Sequence, residues 1–269
     1  QKKRHGPEFL RGIAHLRART KVIGAAMRVR SATALAVHDF FKKNGFYYIH
    51  TPIITASDCE GAGEMFQVTT IDAQNPPMKE GKVDYTEDFF GKKTFLTVSG
   101  QLSAETLACA LGRVYTFSPT FRAENSNTTR HVSEFWMIEP EMAFADLTAN
   151  AELSEKFLQS VITDVMNECE EDLAFFEGVR KFKSPFVDTT GGSLLESLTT
   201  VAKTPFERMS YTEAIEKLKV SGRKFEHKVE WGAALQTEHE KYLCEELVKA
   251  PLIVTDYPAE FKAFYMYLN

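Results

Sequence analysis

Two arginines, a histidine, a glutamate and an aromatic ring fall within one short segment of this chain, Phe121-Arg122-Ala123-Glu124-Asn125-Ser126-Asn127-Thr128-Thr129-Arg130-His131-Val132-Ser133-Glu134-Phe135. Strand alternation puts Arg122 and Glu124 on one face at the entrance of a loop, and Arg130 and His131 near its far end can curl back over the same space. That grouping suits a polyphosphate. An arginine fork binds phosphate oxygens in bidentate fashion and stabilises charge developing at the transferring centre, while Phe135 offers a flat apolar surface for a purine ring. The residue types thus describe a nucleoside triphosphate site, against the plainer alternative of a charged, solvated hairpin loop. Beyond the loop, Phe135, Met137, Glu139 and Glu141 share a face by alternation. Two carboxylates beneath a ring platform need a cation, from Arg122 or from a substrate ammonium, so Glu139 is a candidate binding residue; an ion pair within the sheet is the alternative.

The elements that must hold these groups can be read from periodicity. Thr20 to Lys43 contains no proline and carries Ile23, Met27, Ala34, Val37, Phe40 and Phe41 at helical spacing. It stops at Asn44-Gly45, and Phe46 to Thr51 is aromatic and β-branched, a strand closed by Pro52. Residues 72 to 93, with Pro76-Pro77, Gly81 and Gly91, form a surface insertion, and Thr94 to Val98 is a strand. A helix over Ala104–Leu111 ends at Gly112. Val114 to Phe121 and Phe135 to Phe144 make an antiparallel hairpin around the charged loop. A long helix carries the stripe Leu153, Phe157, Val161 and Val165. Residues 183 to 208 read as loops, 211 to 218 and 237 to 248 as helices, and 252 to 254 and 261 to 268 as strands. The class is α+β, an antiparallel sheet with helices packed outside.

Composition excludes several alternatives. The 269 residues are 43% hydrophobic and 26% charged, ordinary for a globular chain with a large core. No apolar run approaches the roughly 18 residues of a membrane helix, and no signal peptide follows the basic start, so no membrane partner is expected. Cys59, Cys109, Cys169 and Cys244 lie far apart without a C-x-x-C pair, which points to reduced cysteines in the cytoplasm, with no metal site within the chain. A formal charge of -5 argues against coating nucleic acid, although Arg11, Arg17, Arg19, Lys21, Arg28 and Arg30 make the start of the chain locally positive.

The ordered string from Phe121 to Phe135 resembles motif 2 of the class II aminoacyl-tRNA synthetases, in the subgroup of aspartyl, asparaginyl and lysyl enzymes. The resemblance implies that Arg122 is the catalytic arginine, bridging the α-phosphate and the amino-acid carboxylate. It also implies that Glu124 orients the adenine amino group, that Arg130 and His131 hold the outer phosphates, and that Phe135 stacks on adenine. The long helix followed by Gly45-Phe46-Tyr47-Tyr48-Ile49-His50-Thr51-Pro52 resembles motif 1, which implies a homodimer with Pro52 at its interface. Ser57-Asp58-Cys59-Glu60-Gly61-Ala62-Gly63-Glu64-Met65-Phe66 is similar to the loop that covers the amino acid in this subgroup, with Glu60 as partner of its ammonium.

The substrate is read from another stretch. Aspartyl enzymes carry a Gln-Ser-Pro-Gln-Leu/Phe-x-Lys-Gln segment whose lysine reads a side-chain carboxylate; here Val98-Ser99-Gly100-Gln101-Leu102-Ser103-Ala104-Glu105-Thr106 has no lysine. A carboxylate facing Glu105 would be repelled, whereas a carboxamide can donate its NH₂ to Glu105, with Gln101 as a second polar group. The segment resembles that of asparaginyl enzymes. ATP with Mg²⁺, asparagine and tRNA(Asn) are the partners this implies. Two family parts are not seen in the sequence: an anticodon-binding barrel, for which residues 1–20 would be the end of a linker, and motif 3 with its magnesium ligands, beyond a catalytic domain over 21–269. An aspartyl enzyme, a tRNA-independent asparagine synthetase and a non-catalytic tRNA-binding relative stay open as other readings.

Overall fold

The computed structural model describes residues 5–57, 65–125, 132–181, 192–262 and 265–268. Its helices are α1 (Pro7–Gly12), α2 (Ala14–Arg17), α3 (Lys21–Lys43), α4 (Gln101–Leu111), α5 (Leu147–Glu168), α6 (Glu170–Lys181), α7 (Leu194–Lys203), α8 (Tyr211–Val220) and α9 (Thr237–Lys241). The strands are β1 (Tyr47–Tyr48), β2 (Ile54–Thr55), β3 (Gln67–Val68), β4 (Met78–Lys79), β5 (Lys82–Val83), β6 (Thr94–Leu96), β7 (Arg113–Phe121), β8 (Glu134–Met142), β9 (Glu207–Ser210) and β10 (Leu252–Thr255). The chain divides into two compact units, one of Gln1–Phe40, Asp146–Lys262 and Tyr267–Asn269, the other of Phe41–Ala145 and Ala263–Met266.

The first unit is mostly helical. Three of its helices, α5, α7 and α8, start where short polar side chains accept from the backbone: Asp146 from the Ala149 N–H, Ser193 from Glu196 and Ser210 from Glu213. Arg28 pairs with Asp172 in a two-pronged bridge from α3 to α6, which holds the aspartate below its usual carboxylate range. A core of Met209, Tyr211, Ala214, Ile215, Leu218 and Leu243 forms around α8 and the parallel pair β9–β10. Tyr211, fully buried, donates its hydroxyl to the carbonyl of Ala233 at 2.7 Å. After Lys241 the α9 helix widens into a π-helix over Tyr242–Val248, ended by Lys249 in the left-handed region at φ 56°.

Residues 183–208 read as loops from sequence, but α7 lies there and β9 begins at Glu207. Ser193 caps a segment whose Leu194, Leu195, Leu198 and Val201 have helical spacing, a signal masked by the surrounding Ser, Thr and Gly. The strand expected over 261–268 is absent from the described residues: Pro258 leads into a 3-10 turn at Ala259–Phe261, and 265–268 join no sheet. An aromatic run is a strand only where a neighbour supplies hydrogen bonds.

The second unit holds three small sheets. In one, β7 and β8 form the expected antiparallel hairpin, and the short β1 adds to β7 in parallel. Gly45, at φ 77°, makes the turn that lets Phe46 double back on Phe41, whose ring stacks on Tyr115 at 4.3 Å. Burial and the neighbouring Tyr48 push the Tyr115 phenol up to about 12. In the second sheet β6 is flanked by β2 and β3, and the hairpin β4–β5 stands out from it. Asp88 ties the ends of this insertion. It accepts from the Thr69 hydroxyl at 2.7 Å, the Thr70 N–H and hydroxyl at 2.9 Å each, and the Phe89 N–H at 2.8 Å. Those donors, Thr69 first, bring its carboxyl down to about 2. Among the described residues no helix is long and apolar enough to cross a membrane.

Candidate active site

The hairpin register sets the site. Thr116 lies directly opposite Glu139, Thr120 opposite Phe135 and Val114 opposite Glu141. Helix α4 lies against this face, and its packing core of Ala104, Ala108 and Val114 is small, so helix and sheet approach closely. At the closest point stands Gly100. A Cβ there would lie 2.5 Å from Thr51 Oγ1, 3.3 Å from Glu139 Oε2 and 3.4 Å from Thr116 Cγ2.

Glu139, 7% exposed, is satisfied at this junction by three donors. The Ser99 hydroxyl donates to Oε1, the Gly100 N–H to Oε2 at 3.2 Å and the Thr116 hydroxyl to Oε2 at 2.7 Å. Within the protein its partners are thus two hydroxyls and a backbone amide. Ser99 in turn accepts from the Gln101 N–H at 3.1 Å, and its own backbone is fixed by Thr97, whose hydroxyl donates to the Ser99 carbonyl at 2.6 Å. One helical turn along, the Gln101 side-chain amide donates to Glu105 Oε1 at 3.0 Å. Gln101, Glu105 and Glu139 are thus brought to the same end of α4.

Glu141 joins them on β8. Burial pushes its carboxyl up to about 7, and the charges of Glu105 and Glu139 add to the rise. This corner of the site is electronegative: it favours a neutral donor or an ammonium and disfavours a second carboxylate.

At the loop end, β7 stops at Phe121, so Arg122 and Glu124 do not share a strand face as alternation suggested. Arg122 is held instead by its backbone N–H donating to the Ser133 carbonyl at 3.0 Å, with its guanidinium 5.3 Å from the centroid of the Phe135 ring. Both are half-buried, while Glu124 is exposed. Arg130, His131 and Glu60 lie outside the described residues. Pro52 is exposed and lines a cavity of about 250 Å³ together with Thr55, Ser57, Thr97, Ser99 and Thr106. Among the described residues no group of three or more His, Cys, Asp or Glu side chains is arranged to hold a metal ion.

The sequence does not single out Ser99, Gly100 or Thr116 as site residues. Only the strand register and the helix approach reveal them; the sole prior signal was that Thr116 and Thr120 alternate in phase on β7.

A family model described as "tRNA synthetases class II (D, K and N)" matches residues 8–269. The chain is 58% identical over its whole length to the asparagine--tRNA ligase of Protochlamydia amoebophila and 57% identical to that of Thermosynechococcus vestitus, covering 56% of each. It superposes on the crystal structure of asparaginyl-tRNA synthetase from Pyrococcus horikoshii complexed with asparaginyl-adenylate with a TM-score of 0.78 and 29% identity, over 98% of this chain and 52% of that one. The chain spans a little over half the length of these relatives. With that match running through the hairpin, α4 and nearly all the rest of the sequence, the chain belongs to the class II tRNA synthetases of the D, K and N group.

Proposed function

We propose that the protein activates asparagine with ATP and transfers it to tRNA(Asn). The observation that carries the reading is the wall of Gln101, Glu105, Glu139 and Glu141, with no lysine in the segment 98–106, which accepts N–H donors and repels a side-chain carboxylate. The name shared by relatives 57–58% identical over the whole chain supports it, as does the adenylate held by the Pyrococcus horikoshii structure.

In the reaction, an oxygen of the asparagine carboxylate attacks the α-phosphorus of ATP, and the bond to the β-phosphate breaks with departure of pyrophosphate. The 3′-terminal hydroxyl of tRNA then attacks the adenylate carbonyl, and AMP leaves. Arg122 stabilises the charge gathered around the α-phosphate, Phe135 supplies the adenine platform and Glu124 orients the adenine amino group. Arg130 and His131 hold the outer phosphates, and Glu60 the substrate ammonium. When bound with the triphosphate, Mg²⁺ would supply positive charge against the phosphate oxygens. The exposed Pro52, beyond the β1 strand, belongs to a homodimer contact in this reading. Cytoplasmic placement goes with it.

The test is amino-acid-dependent exchange of pyrophosphate into ATP by the full-length protein. Asparagine should support exchange and aspartate should not; faster exchange with aspartate overturns the reading.

A further inference from the structure

We propose that Thr116 is a positioning residue for the amino acid, which acts by orienting the Glu139 carboxylate so that one acceptor position remains for a substrate N–H. The inference rests on the asparagine reading above and assigns a specificity role to a residue that touches no substrate.

A carboxylate has two oxygens and about four acceptor positions. At Glu139 three are filled from within the protein. Oε2 takes the Gly100 N–H at 3.2 Å and the Thr116 hydroxyl at 2.7 Å, and Oε1 takes the Ser99 hydroxyl. One position on Oε1 is left over. The arrangement is asymmetric in a useful way, because both donors to Oε2 are rigid. Gly100 N–H belongs to the backbone at the start of α4, and Thr116 is 0% exposed on the middle of β7, directly across the ladder from Glu139. A β-branched side chain in a strand is restricted at χ1, so the hydroxyl cannot follow the carboxylate if it turns.

Gly100 and Ser99 also serve the start of the helix, and altering either disturbs α4 itself. Thr116 does not. Its hydroxyl makes a single bond, to Glu139, while its methyl packs beneath Gly100, 3.4 Å from where a Cβ would stand. Removing only the hydroxyl therefore separates orientation from packing. Without it, Oε2 keeps only the longer bond from the Gly100 N–H and Oε1 the Ser99 hydroxyl, so the carboxylate is held less firmly and its free acceptor position spreads over a wider range of directions. A substrate amide then loses a fixed acceptor, whereas ATP, bound through Arg122 and Phe135 at the other end of the hairpin, is untouched.

The experiment compares Thr116→Val, Thr116→Ala and Thr116→Ser in the full-length protein by pyrophosphate exchange, with KM for asparagine and ATP measured separately. Thr116→Val should raise KM for asparagine by about tenfold or more, the scale of one hydrogen bond to a charged group, and leave KM for ATP within about twofold. Thr116→Ser, which keeps the hydroxyl, should restore most of the asparagine KM. If Thr116→Val does not fold, judged by its thermal transition, Thr116→Ala takes its place against the same serine control. Equal KM values for asparagine in wild type, valine and alanine variants would overturn the proposal. So would a rise that serine fails to rescue, or one shared equally by ATP. A wild-type protein that shows no exchange with asparagine would instead sink the functional reading on which it stands.

Discussion

The side-chain amide of Gln101 donates to the carboxylate of Glu105 one turn further along α4, at 3.0 Å, beside the buried carboxylate of Glu139. A carboxamide already lies against a carboxylate here, the same pairing a bound asparagine would make. Glu105 thus holds Gln101 in place. Replacing Glu105 with Ala should release Gln101 and raise KM for asparagine about tenfold to a hundredfold, with KM for ATP little changed, as steady-state exchange kinetics on the full-length chain would show.

The stack of Arg122 on Phe135 leads to a split of kinetic effects. Arg122→Ala should slow adenylate formation by about two to three orders of magnitude in single-turnover experiments, as loss of one preorganised donor does. Phe135→Ala should chiefly raise KM for ATP, because it removes a platform present in the ground state as well. An unchanged single-turnover rate in the arginine variant would reject its role.

Glu141 makes a pH prediction. Its carboxyl is raised from 4.5 to about 7 in the folded protein. Between those values the unfolded chain has lost the proton and the folded chain still holds it, so this group's contribution to stability falls as pH rises from about 4.5 and levels off above about 7. Glu141→Gln cannot ionise. Its thermal transition should match that of the wild type near pH 4.5 and exceed it increasingly up to about pH 7, with a constant gap beyond. A difference independent of pH would contradict the assignment.

Gly100 predicts a steric cost. The Cβ of Gly100→Ala would meet Thr51 Oγ1 at 2.5 Å, in a place where α4, β8 and the Thr51 segment converge. Either the helix moves off the sheet or Thr51 and Glu139 turn away. About 1–3 kcal/mol of stability should be lost, seen as a lowered midpoint in denaturant, together with a raised KM for asparagine. A variant as stable as wild type with normal kinetics would show that the junction has slack.

Much of this was legible from local pattern. Lys21–Lys43 and Gln101–Leu111 announce themselves by apolar period and a closing glycine, and the β7–β8 hairpin by two β-rich runs around a polar loop. What stayed hidden depends on partners distant along the chain. Nothing near Tyr47 says that it pairs in parallel with Val114. Alternation picks out Glu139 as a polar residue in phase with Phe135, but not its protein donors, since the register that sets Thr116 against it and the approach that brings Gly100 under it are tertiary facts. Gly100 sits at φ -87°, an ordinary conformation, so its requirement for glycine comes from crowding and carries no turn signature. The end of β7 at Phe121 is legible, but strand alternation does not carry past it to place Arg122 and Glu124 on one face.

The knot at Asp88 has a practical side. Because one carboxylate gathers Thr69, Thr70 and Phe89, both ends of the β4–β5 excursion are clamped to each other before the chain enters β6, and the tip at Glu80-Gly81, in left-handed backbone, hangs beyond the clamp. Closing a longer loop on anchored ends costs only about 0.6 kcal/mol for each doubling of its length. The tip is thus a natural splice point, where a peptide tag or a small reporter domain can be grafted without the graft being felt at α4. Such a chimaera should exchange pyrophosphate at the parental rate, and the same graft in an Asp88→Asn background should become susceptible to limited proteolysis between residues 69 and 93.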